Sequence, residues 1–92
     1  MDETRLKQLR QRIDTIDGSI VDLLRERVSV AVEIGKAKGE APVYDPEREK
    51  AVVSGIQKMA PEIDPQDLAR VYLEIMSMCR NVQVSEKEEK IV

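Results

Sequence analysis

The run Leu6-Lys7-Gln8-Leu9-Arg10-Gln11-Arg12-Ile13-Asp14-Thr15-Ile16-Asp17-Gly18-Ser19-Ile20-Val21-Asp22-Leu23 decides the fold. Its apolar residues Leu6, Leu9, Ile13, Ile16, Ile20 and Leu23 recur at alternating steps of three and four, and Val30, Ile34 and Ala37 carry the stripe onward. That spacing marks one long helix with a coiled-coil-like seam. The punctuation agrees: Lys36 and Lys38 fill the last turn, where cations suit the helix dipole, Gly39 stands where a glycine cap belongs, and Pro42 follows. Gly18 inside the run costs about 1 kcal/mol relative to Ala and weighs slightly against continuity.

Two later segments open with one device, an N-capping Asp before a Pro at the first helical position: Asp45-Pro46-Glu47 and Asp64-Pro65-Gln66. The second helix carries Val52, Val53, Ile56 and Met59 and stops before Pro61; the third carries Leu68, Val71, Tyr72, Ile75, Met76, Cys79 and Val82. From Ser85 to Lys90 the chain is charged and reads as a frayed tail. The expected class is all-α, with long, short and medium helices, no strand and no internal repeat. A helix from Thr4 to Lys38 would be ~50 Å long, whereas a compact chain of this size is only about 30 Å across. The first helix must overhang its own domain. Because its seam is apolar almost from end to end, a symmetric homodimer is the favoured solution, the alternative being a helical hairpin with a frayed end.

The composition narrows the chemistry. With 92 residues the chain has room for a single domain. It contains no His, Trp or Phe, which excludes imidazole-based triads and His-built metal sites. A single cysteine, Cys79, allows no internal disulfide and no thiolate cluster, in keeping with a reducing compartment. On an apolar stripe with no activating base, it reads as a packing residue rather than a nucleophile. No long apolar run or signal-peptide pattern is present, so the expectation is a soluble, cytoplasmic chain without membrane attachment. The net charge of -3 comes from 15 basic and 18 acidic residues, interspersed and without aromatic platforms, which argues against nucleic-acid binding. No metal or cofactor is expected.

The informative residues are polar ones on the seams. Arg27 occupies the position after Leu23 where an aliphatic residue belongs, and Lys38, 11 residues on, shares its face ~16 Å along the axis. Arg48 heads the line Arg48, Val52, Ile56, Met59; Glu49 heads Glu49, Val53, Ile56; Gln83 continues Tyr72, Met76, Cys79. Singly, each has a plain explanation: a seam Arg snorkels or pairs with Glu, a polar residue fixes register, and a helix-end Lys offsets the dipole. Together, in an otherwise aliphatic protein, they are better explained as an anion-binding pocket, since buried cations need neutralising partners.

These residues belong to a larger pattern. Leu9-Arg10-Gln11-Arg12-Ile13-Asp14-Thr15-Ile16-Asp17, Leu23-Leu24-Arg25-Glu26-Arg27, Glu33-Ile34-Gly35-Lys36-Ala37-Lys38, Val43-Tyr44-Asp45-Pro46-Glu47-Arg48-Glu49 and Glu74-Ile75-Met76-Ser77-Met78-Cys79-Arg80-Asn81-Val82-Gln83 stand in order along the chain. With them the sequence resembles the all-helical, AroQ-class chorismate mutases, including the mutase domain of bifunctional chorismate mutase/prephenate dehydratases. The resemblance implies a mutase domain at residues 1–84 and a charged C-terminal tail at 85–92. It implies an intertwined homodimer with antiparallel first helices, and rearrangement of chorismate to prephenate, a step toward phenylalanine and tyrosine. The family's site residues fall on Arg10, Arg27, Lys38, Asp45, Arg48, Glu49 and Gln83, with Cys79 where the family often has Ser. A thiol is a poorer donor there. Arg10 lies 17 residues before Arg27, about 25 Å away and roughly 100° out of phase on one helix. It is therefore expected to act in trans.

Such a reaction suits the composition. A [3,3] shift within one molecule moves no proton and needs no covalent intermediate, so a site without His loses nothing. Arg10 and Arg27 suit the two carboxylates of the substrate because guanidinium offers paired donors in a planar fork. Lys38 and Gln83 are placed to donate to the ether oxygen, where negative charge develops as the C–O bond breaks. Asp45 and Glu49 would accept from the ring hydroxyl, and Arg48 would order carboxylates or bridge to substrate. Two other readings remain at this stage. One is an isochorismate-pyruvate lyase of the same fold, against which Asp45 and Glu49 weigh; the other is a non-catalytic helical dimerisation or regulatory module, in which Arg27 would be dispensable.

Overall fold

The computed structural model describes residues 2–91, with side chains described as far as residue 88. Helix α1 spans Glu3–Lys38, α2 Pro46–Met59 and α3 Pro65–Ile91, with no strand among the described residues. The all-helical, three-element plan read from the sequence is the one observed. Asp2 caps α1 by accepting from Arg5 N at 2.9 Å, and Asp45 caps α2 by accepting from Arg48 N at 3.1 Å. Asp64 accepts from both Gln66 N and Asp67 N at the start of α3. Each carboxylate thus satisfies amides that the first helical turn leaves unpaired. Gly18 does not interrupt α1. Gly39 ends it at φ 60°, a left-handed conformation that only glycine adopts at no steric cost, and its amide donates to Lys36 O.

Helix α3 is the centre of the chain. Both α1 and α2 pack on it, and not on each other. The contact with α1 uses a stripe the periodic reading did not emphasise: Ala31 and Gly35 are buried, and a Cβ added at Gly35 would lie 3.2 Å from Gln83 Cγ, so the missing side chain allows the two helices to approach closely. Leu24, Val28 and Val32 flank that line and are half-buried. The seam that announced α1 is left largely uncovered, with Ile13 55% and Leu23 63% exposed. Ala31, Met76 and Cys79 are the buried apolar residues among the described ones. The molecule measures 57 × 29 × 15 Å, so α1 overhangs the rest as its length requires.

The stretch after Ser85, expected to fray, instead continues α3 to Ile91. Glu and Lys are good helix formers even without an apolar anchor. The Lys87 ammonium also donates to Ala41 O at 3.0 Å, tying this end of α3 to the α1–α2 connection. No helix among the described residues is long and apolar enough to cross a membrane.

Candidate active site

The last three turns of α1, the start of α2 and the middle of α3 enclose a groove of about 470 Å³. Val30 and Ile34 of α1, Val52 of α2 and Met76 of α3 supply its apolar walls, and into it project the polar residues that interrupted the helical stripes. Arg27, Lys38, Asp45, Arg48, Glu49, Cys79 and Gln83 all line it. Residues separated by more than fifty positions in sequence meet here because α3 carries Cys79 and Gln83 past the faces of both other helices.

Each side chain is held by identifiable contacts. Arg27, half-buried, directs Nη1 at Cys79 Sγ, 3.0 Å away, so the thiol serves as acceptor to a guanidinium. Lys38 Nζ donates to Val43 O at 3.1 Å; an ammonium has three donors, and this bond occupies one. Gln83 is buried, and its Nε2 donates to Ala31 O at 2.7 Å, next to the Gly35 approach. One amide hydrogen and the carbonyl oxygen of Gln83 remain for the groove. Asp45 spends one carboxylate oxygen on the α2 cap while lining the groove. Arg48, one turn along α2 from that cap, is exposed at the groove's edge.

The groove holds one further charged residue that the sequence reading does not include. Arg80 lines the groove, pairs through Nη1 with Glu49 Oε2, and sets its guanidinium carbon 5.1 Å from the centroid of the Tyr44 ring. The signal was available in the spacing, since Met76, Arg80 and Gln83 fall at i, i+4 and i+7 on α3. Arg10, by contrast, is absent from the groove. It is exposed among Glu3, Leu6, Lys7, Gln11 and Asp14 at the far, N-terminal end of α1.

The groove combines several cations, two carboxylates and a neutral amide around aliphatic walls. Such a set can bind an anionic, partly apolar small molecule and stabilise charge that shifts within it, and it offers no imidazole or base-activated nucleophile.

Comparison with known proteins meets the same pattern. The family described as chorismate mutase type II matches residues 9–84. The chain is 40% identical over 86 residues to a bifunctional chorismate mutase/prephenate dehydratase of Pseudomonas aeruginosa, covering 85% of this chain and 24% of that protein. It is 44% identical over 75 residues to the protein of that description from Neisseria gonorrhoeae, covering 80% of this chain and 21% of the relative. A chorismate mutase of Methanocaldococcus jannaschii is 38% identical over 60 residues, covering 63% of this chain and 61% of the relative. The chain therefore spans about a quarter of the length of the bifunctional relatives. With the family pattern running through α1, α2 and most of α3, and the groove residues falling within it, the chain belongs to the type II chorismate mutase family.

Proposed function

We propose that the groove binds chorismate and converts it to prephenate, in a homodimer whose second copy contributes Arg10 to each site. The observation that carries this reading is the convergence of Arg27, Lys38, Arg48 and Gln83 on one aliphatic groove. Arg27, with Arg10 of the partner subunit, binds the two carboxylates and holds the enolpyruvyl group over the ring in the reactive, compact conformer. The ether C–O bond then breaks as a C–C bond forms between the enolpyruvyl methylene and the ring. No proton is transferred and no external reactant is consumed.

Charge builds on the ether oxygen in that transition state, and Lys38 Nζ together with the free amide hydrogen of Gln83 donates to it. Asp45 and Glu49 accept from the ring hydroxyl, Arg48 orders the carboxylates at the rim, and Cys79 holds the Arg27 guanidinium. The exposed seam of α1 supports the dimer: covering large aliphatic side chains yields about 1.5–3 kcal/mol for each one taken fully out of water. Antiparallel first helices would bring the distant Arg10 end of one chain to the Arg27 end of the other.

The test is direct. Purified protein mixed with chorismate should remove chorismate absorbance and yield a product that acid converts to phenylpyruvate. Absence of turnover across the pH range removes the mutase reading, and release of pyruvate replaces it with a lyase.

A further inference from the structure

The ion pair between Arg80 and Glu49 differs in setting from the others among the described residues. Those join neighbours three apart on one helix and have side chains roughly half to three-quarters exposed, whereas Glu49 and Arg80 join α2 to α3 and are 15% and 30% exposed. The attraction within a pair in that position is screened less than within a solvated one. Arg80 is itself fixed from a second side by the Tyr44 ring, in a cation–π contact. Glu49 uses Oε2 for Arg80, while Oε1 has no protein donor among the described residues and is not buried.

We propose that Arg80 is a positioning residue: by holding Oε2 of Glu49 it aims Oε1 at the hydroxyl of the bound ligand and offsets a carboxylate charge that would otherwise repel an anion. This rests on the mutase reading of the groove and deepens it. In this role Arg80 acts through Glu49, while also lining the groove. Its value is orientation, because a carboxylate left to swing would lose the alignment that makes a single acceptor count.

A double-mutant cycle with chorismate as substrate tests this, using Arg80→Met, Arg80→Lys, Glu49→Gln and the combinations. Arg80→Met should lower kcat/KM by about tenfold or more, and Arg80→Lys, which keeps charge but not the fork, by an intermediate factor. In the Glu49→Gln background either change should alter kcat/KM by less than about twofold, since the group being positioned is already gone. Circular dichroism and thermal unfolding check that each variant folds; should Arg80→Met unfold, the Lys variant completes the cycle alone. Equal losses in both backgrounds, or no loss in either, overturn the proposal. If the wild type turns over chorismate and the cycle is additive, only this inference fails; if the wild type does not turn it over, the mutase reading fails first.

Discussion

Arg10→Ala and Arg27→Ala should each be nearly inactive alone and should restore activity when combined in one dimer. Removing Arg27 deletes a charge-assisted donor set from a half-buried position in the groove. At about 1.5–3 kcal/mol for hydrogen bonds to a charged group, a ~100-fold loss, about 2.7 kcal/mol, is the expected scale, with a comparable one for Arg10. On one α1 helix these residues lie ~25 Å apart on different faces, so a site containing both must draw them from two chains. In a heterodimer of the two variants, one site then receives both substitutions and the other receives none. Denaturing and refolding an equal mixture makes half of the dimers heterodimers, each with one intact site of two, so activity should return to about one quarter of wild type. Differently tagged chains purified as the heterodimer should reach about one half. The assay is loss of chorismate absorbance before and after co-refolding. Activity that stays at the level of the single variants would refute action in trans, and full activity in Arg10→Ala alone would take Arg10 out of the site.

Three further outcomes follow from particular contacts. Gln83→Glu should confine activity to acid: an ionised carboxylate cannot donate to Ala31 O or to the ether oxygen, and its burial raises the pKa above the ordinary value near ~4.3. Stability of that variant should be greatest below the ordinary value and fall as pH rises through the raised one, which pH-rate profiles and melting curves at several pH values would show. Gly55→Ala, with no atom near the added Cβ, should stabilise α2 by up to about 1 kcal/mol and leave turnover unchanged, whereas Gly35→Ala should crowd Gln83 Cγ, shift its amide slightly relative to Ala31 O and reduce kcat. Thermal melts with kinetics separate the two. Ile16→Glu, on the exposed seam of α1, should give a monomeric, inactive chain of lowered stability by light scattering and thermal melts; a fully active monomer would contradict the shared site.

The helices were legible because most of their boundaries have a local cause, the Asp45 and Asp64 caps and the Gly39 terminator. Most groove residues were legible because a cation or amide on an aliphatic stripe is conspicuous: Arg27 after Leu23, Gln83 after Cys79. Arg80 stands on the same stripe, one turn from Met76, but its importance was not legible, because that depends on where α2 places Glu49. No single-helix period encodes the packing of two helices. Gln83 illustrates another limit. Its position on the stripe is apparent, but the close approach at Gly35, which assigns one of its hydrogens to Ala31 O, arises only when α1 and α3 meet. The helical stretch after Ser85 was missed because an unanchored charged run offers no burial signal, and its tie through Lys87 runs to a backbone carbonyl.

The 15 Å thickness of the molecule has a consequence for how its stability should be measured. A slab so thin buries little apolar surface within one chain, so under the dimeric reading much of the free energy of folding is free energy of association. Folding then obeys mass action, and each tenfold dilution lowers the apparent stability by about 1.4 kcal/mol. The melting temperature should rise with protein concentration, making abundance itself a determinant of how much of the chain is folded.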